Sequence, residues 1–144
     1  MILKNTLNRL NKGSVLAETA LAIPILLGVA FVVIEFGNVL YLNNSLNQIA
    51  RSAARYAAVT SNYTQQDLIN NSGANSILPD PSKLTLTVTP DSGAPKSVGT
   101  AITINVTYNY TPIVNPFRLF NSNKSWLPQV QSSSVVRSEV SNAS

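Results

Sequence analysis

Glu18 and Glu35 stand at the two ends of an apolar run, Ala20 to Ile34, in which no side chain carries a charge or a polar group. A carboxylate at mid-bilayer costs about 2.5 kcal/mol or more, and less toward the edge. Its natural chemistry in such a place is pairing with a cation. Arg51 and Arg55, four positions apart, fit a solvated helix face in the first instance, the alternative being that one of them pairs with Glu35 of another subunit. The other acids, Asp67, Asp80, Asp91 and Glu139, are isolated in sequence, and the chain has no histidine and no cysteine. That inventory excludes imidazole acid-base work, disulfides and the common structural zinc sites. No phosphate-binding glycine loop is present either. No catalytic residue, cofactor site or metal site is therefore expected, and the chain is not read as an enzyme.

The element that must position these charges is a long helix. At about 1.5 Å per residue, Val15 to Leu42 makes a helix of roughly 42 Å, enough to cross a hydrocarbon core of about 30 Å with both glutamates near its edges. Pro24 lacks an N–H and loosens the bond to the Ala20 carbonyl, so a kink is expected there. Gly28 follows one turn later. The basic residues Lys4, Arg9 and Lys12 account for +3 of the net charge of +4, and the chain beyond Gly13 is almost neutral at +1. A basic nucleic-acid footprint is thereby removed, and no nucleic-acid partner is expected. The basic end fits the cytoplasmic side of a membrane helix. An ordinary cleaved signal peptide fits less well, because the apolar run is long and no small-x-small site follows it.

Lys12-Gly13-Ser14-Val15-Leu16-Ala17-Glu18 is a short basic leader ending in glycine, with glutamate at the fifth position after it and an apolar helix beyond. This resembles the prepilin signature of type IV filament systems. With Glu35-Phe36-Gly37 and Arg51-Ser52-Ala53-Ala54-Arg55-Tyr56-Ala57-Ala58, it resembles more narrowly the TadE-like pseudopilins of the tight-adherence (Tad/Flp) pilus. Thr19 departs from the pattern, standing where many members place an aromatic residue.

The resemblance implies a minor pseudopilin of a Tad-type pilus, acting in pilus biogenesis and surface adhesion. It implies cleavage between Gly13 and Ser14 by a prepilin peptidase, a companion pseudopilin and a major pilin as partners, and an inner-membrane assembly platform. It also implies a single pass through the bacterial inner membrane, with the N-terminus cytoplasmic and the C-terminal domain extracytoplasmic. Under that scheme the new Ser14 amine lies one helical turn from Glu18, where a carboxylate also faces the positive end of the helix dipole. Glu18 pairs either with its own Ser14 or with that of a neighbouring subunit; the competing reading is a snorkelling interfacial carboxylate. The rival for the whole chain is a single-pass anchor carrying an extracellular binding domain outside any filament.

The fold expected is α+β and pilin-like, a long N-terminal membrane and spine helix packed on a small antiparallel β-sheet. The leader is residues 1–13, the transmembrane helix 14–42 and the extracytoplasmic domain 43–144. Leu42, Leu46, Ile49, Ala53 and Tyr56 recur at helical spacing, so the helix should continue to about residue 58 with an apolar stripe. Thr64 and Asp67 resemble a capping box before a short helix from about Gln65 to Asn75. Leu84-Thr-Leu-Thr-Val-Thr89 and Ala101 to Thr111 alternate with period two, which predicts strands at about 84–89 and 101–111; a weaker alternation suggests a third at about 130–140. Phe117, Phe120 and Trp126 are expected to close the core.

Overall fold

The computed structural model describes residues 2–91, 94–113 and 129–141, with side chains from Ser14 onward. It divides into two compact units, Met1–Gly37 and Asn38–Ser144. One helix, α1 (Ile2–Val59), belongs to both and remains helical through Pro24.

In the first unit every side chain from Ser14 to Ile34 is exposed. An unbroken exposed surface of leucine, isoleucine, valine and phenylalanine is untenable in water. Residues Ser14–Val59 contain a candidate membrane span by length and composition, and lipid is the medium in which that surface costs nothing.

In the second unit α1 becomes one-sided. Leu42, Leu46, Ile49, Ala50, Ala53, Ala54 and Ala57 are buried, while Arg51 and Arg55 are exposed. The alanines keep the helix surface low, so a sheet can approach closely. That sheet has the order β1-β2-β3 and is antiparallel throughout, its strands being β1 (Leu84–Thr89), β2 (Ala101–Tyr108) and β3 (Val130–Arg137). Leu84 pairs with Tyr108 and Leu86 with Val106, and across the other edge Val106 pairs with Ser132 and Tyr108 with Val130. Period two turns Leu84, Leu86, Ile102, Ile104, Val106, Tyr108 and Val130 to one face, and they form a single core with the α1 stripe. The arrangement is the expected α+β one.

The regular ladder of β2 stops at Tyr108, where an extent to Thr111 was expected. Asn109 N–H still donates to the Lys83 carbonyl (3.1 Å), but Tyr110 N–H turns back to Tyr108 O (3.1 Å). Beyond β3, Ser138 N–H donates to Thr100 O and Glu139 N–H to Ala58 O, both at 2.8 Å. The chain thus leaves the sheet to tie down the end of α1, three residues before the expected limit. The covered face of β3 carries Ser132, whose hydroxyl donates to Asn47 Oδ1 on α1 at 2.7 Å, so a buried hydroxyl is satisfied where an aliphatic side chain would ordinarily sit.

The helix expected over 65–75 is two short ones, α2 (Gln65–Asn71) and α3 (Ala74–Ile77). Gly73 separates them at φ 80°, in the left-handed region that ends helices. The capping box is formed: Asp67 N–H donates to Thr64 Oγ1, and Thr64 N–H donates to the Asp67 carboxylate. Gln65 donates through its side-chain amide to the Leu86 carbonyl, which occupies part of the outer edge of β1. Phe117, Phe120 and Trp126 lie outside the described residues.

Candidate functional site

The charged residues singled out from the sequence are all carried by α1. Ser14 and Glu18 are four apart on it and exposed, which places them on one helical face. Gly13 has a helical backbone, so a protease acting there must first unwind a turn, and glycine is the residue that leaves a helix most readily apart from proline. Thr19 donates its hydroxyl to Val15 O at 2.8 Å. Its polar group is thereby satisfied within the helix, and the departure from an aromatic residue introduces no unpaired hydroxyl into the apolar surface.

Glu35 behaves differently from Glu18. It is 2% exposed although its neighbours Ile34 and Phe36 are exposed. Arg51 and Arg55 lie on the open face of the spine and line a groove with Asn44, Asn47, Gln48 and Ser52. Two guanidiniums one turn apart, flanked by amides, form a surface that takes carboxylates through charge-assisted hydrogen bonds.

Residues 13–55 match the family model described as TadE-like protein. This stretch is TadE-like. The TadE-like segment begins on Gly13 and ends on Arg55, so it holds Ser14, Glu18, Pro24, Glu35 and Arg51 and stops before the sheet. The match supports a role associated with a Tad pilus, and the exposed apolar part of the same segment supports a membrane anchor. Comparison with curated proteins and with solved structures returned no match.

Two further features had no sequence signal. Lys96 is 2% exposed and its Nζ sits 3.7 Å from the centroid of the Tyr63 ring. Such a desolvated cation–π pair is worth about 2 kcal/mol, and it pins the link between β1 and β2 to the segment before α2. Nothing in the spacing of a lone lysine in a Pro-, Gly- and Ser-containing link marks it as buried. The second is a cleft of about 620 Å³ whose lining includes Asn38, Tyr41, Ile77, Lys83, Tyr108 and Ile113. Tyr41 donates its hydroxyl to Ile77 O at 3.1 Å, and Lys83 Nζ donates to Thr111 Oγ1 (3.2 Å) and lies 3.7 Å from Asp80. Hydrogen bonding from Ser82 holds the Asp80 carboxyl below its ordinary value, so it stays anionic beside Lys83. Burial pushes the Tyr108 phenol up, so it stays neutral.

Among the described residues no group of three or more histidine, cysteine, aspartate or glutamate side chains is placed to hold a metal.

Proposed function

We propose that this chain is a minor pseudopilin of a Tad-type pilus, made as an inner-membrane precursor with its N-terminus in the cytoplasm and cut by a prepilin peptidase between Gly13 and Ser14. The observation that carries the reading is the coincidence of the TadE-like match with the Gly13-to-Glu18 spacing, at the head of a helix whose apolar side chains from Val15 to Ile34 are all exposed. Cleavage converts the Ser14 amide into an ammonium one turn from the exposed Glu18 carboxylate. Before cleavage that cation does not exist, so the same event that frees the helix creates the partner for its acid. In an assembling filament, Glu18 takes the Ser14 ammonium of an adjacent subunit and sets the axial register of neighbouring helices. Pro24 provides a hinge for extraction from the bilayer. The Arg51 and Arg55 groove receives acidic side chains of a companion pseudopilin or the major pilin, and the assembly platform draws the subunit into a structure used for surface adhesion.

N-terminal sequencing of the protein from cells with an active prepilin peptidase tests the reading directly. Ser14 is expected as the mature terminus. An intact leader or any other terminus refutes the processing step. Glu18→Ala is expected to insert into the membrane at wild-type levels and to lose pilus assembly; normal piliation in that variant would remove Glu18 from the mechanism.

A further inference from the structure

The Asn38–Ser144 unit has two ends, and they differ chemically. At one end the pairing of Leu84 with Tyr108 and the bond from Asn109 N–H to Lys83 O gather Lys83, Tyr108 and Tyr110, and Tyr41 joins them through Ile77. The other end holds the bond from Glu139 to the Ala58 carbonyl and that from Gly99 to the Ser138 carbonyl. Along α1, Tyr41 and Ala58 are separated by about 25 Å of helical rise. The tyrosine end is also where the chain enters from the apolar run: Asn38 follows Ile34 by four residues, a reach of at most about 14 Å even fully extended. Tyr41 is 56% exposed and Ile113 is 71% exposed.

We propose that, while the protein resides in the membrane, this tyrosine-bearing end rests in the phospholipid headgroup layer and Ile113 dips into the upper acyl region. The inference rests on the membrane reading of the apolar helix and adds a second, peripheral contact to it. The exposed Tyr41 phenol and the half-buried Tyr110, backed by the buried Tyr108 and with the Lys83 ammonium at the rim, are side chains of the kind that favours the boundary between water and hydrocarbon. The covalent tether holds Asn38 near the bilayer edge whatever the tilt of the helix, since the headgroup layers together add only about 10–15 Å to the hydrocarbon thickness. Lys83 lies beside Asp80, so the contact needs no net anionic surface. Seating on the headgroups restricts how the domain turns about its anchor and keeps the polar Arg51 and Arg55 groove turned to the aqueous side for neighbouring subunits.

The chain has no cysteine, so single cysteines take a nitroxide label cleanly. The full chain is reconstituted in vesicles of phosphatidylethanolamine and phosphatidylglycerol with a label at Leu26→Cys, Ile113→Cys, Thr111→Cys or Val98→Cys, and circular dichroism checks that each variant is folded. The expected result is a lipid signature at position 26 and accessibility to a water-soluble nickel chelate several-fold lower at positions 113 and 111 than at position 98. The same pattern is expected in vesicles of phosphatidylcholine alone. Equal accessibility at 113, 111 and 98, with position 26 still lipid-protected, overturns the inference and leaves the anchor intact. Water access at position 26 overturns both. Protection at 113 that arises only when other pilus proteins are added assigns the cleft to a protein partner and overturns the lipid contact.

Discussion

Leu46→Ala separates the two duties of α1. Leu46 is 0% exposed and sits in the stripe that closes on Leu86, Ile104 and their neighbours. Truncating it removes three carbon atoms from a site walled by a helix on one side and a sheet on the other, neither of which can collapse fully into the gap. Leucine-to-alanine changes in such sites cost about 2.7–5.0 kcal/mol; the small alanines beside it allow some closure, so about 3 kcal/mol is expected. For a domain of this size each kcal/mol lowers Tm by about 4–8 °C, giving a drop of about 12–24 °C. The paired control is Leu26→Ala. Leu26 is 67% exposed, contributes to no protein core, and should shift the domain's Tm by no more than about 4 °C. Thermal unfolding of the detergent-solubilised full chain, followed by near-ultraviolet circular dichroism, reads both. Leu46→Ala should still fractionate with membranes. A shift below about 4 °C for Leu46→Ala, or equal shifts for the two variants, would refute the division of α1 into a lipid-facing and a core-facing part.

Gly73→Ala places a Cβ 3.5 Å from Ile77 Cδ1, an ordinary contact, so its cost is backbone strain alone, about 1–2 kcal/mol; Gly73→Asn should recover part of it, and amide hydrogen exchange across α2 and α3 distinguishes the two. Asp67 is held below its ordinary value of 3.8 by hydrogen bonds from Thr64. Because the folded pKa is the lower one, the cap's contribution is complete above the ordinary value and is lost as pH falls through the lowered one. Amide protection in α2 should therefore be flat from pH 8 to about 5 and fall in more acidic solution, whereas Asp67→Asn should start lower and lose that acid-dependent step.

The helical stripe from Leu42 to Tyr56 and the alternation in β1 and β2 were legible because each is a local period that survives any choice of neighbour. The same holds for the Thr64–Asp67 capping box, whose partners are three residues apart. Less legible was the third strand, since Ser132 on its covered face looks like a solvent residue until Asn47, far away in sequence, is placed against it. Gly73 falls inside the stretch expected to be one helix, and its left-handed backbone divides that stretch into two. On the candidate site, Gly13, Ser14, Glu18, Pro24, Glu35, Arg51 and Arg55 were all nameable from spacing and resemblance. Their environments were not: Glu18 and Glu35 are alike in sequence, yet one is exposed and the other buried.

What the sequence determined alone is an apolar helix long enough for a bilayer, a TadE-like head on that helix, a spine with one apolar stripe, and strands with one apolar face. The TadE-like head rests on resemblance of its motifs, and the others follow from composition and periodicity, which act over a few residues. Only the tertiary structure decided that Lys96 lies over Tyr63, that Ser132 meets Asn47, and that Tyr41, Tyr108 and Tyr110 gather at the end where the apolar helix enters the domain. The physical reason is that each of these joins residues brought together by closing the sheet onto α1. Burial and partner choice are properties of that closure, and no local pattern encodes them.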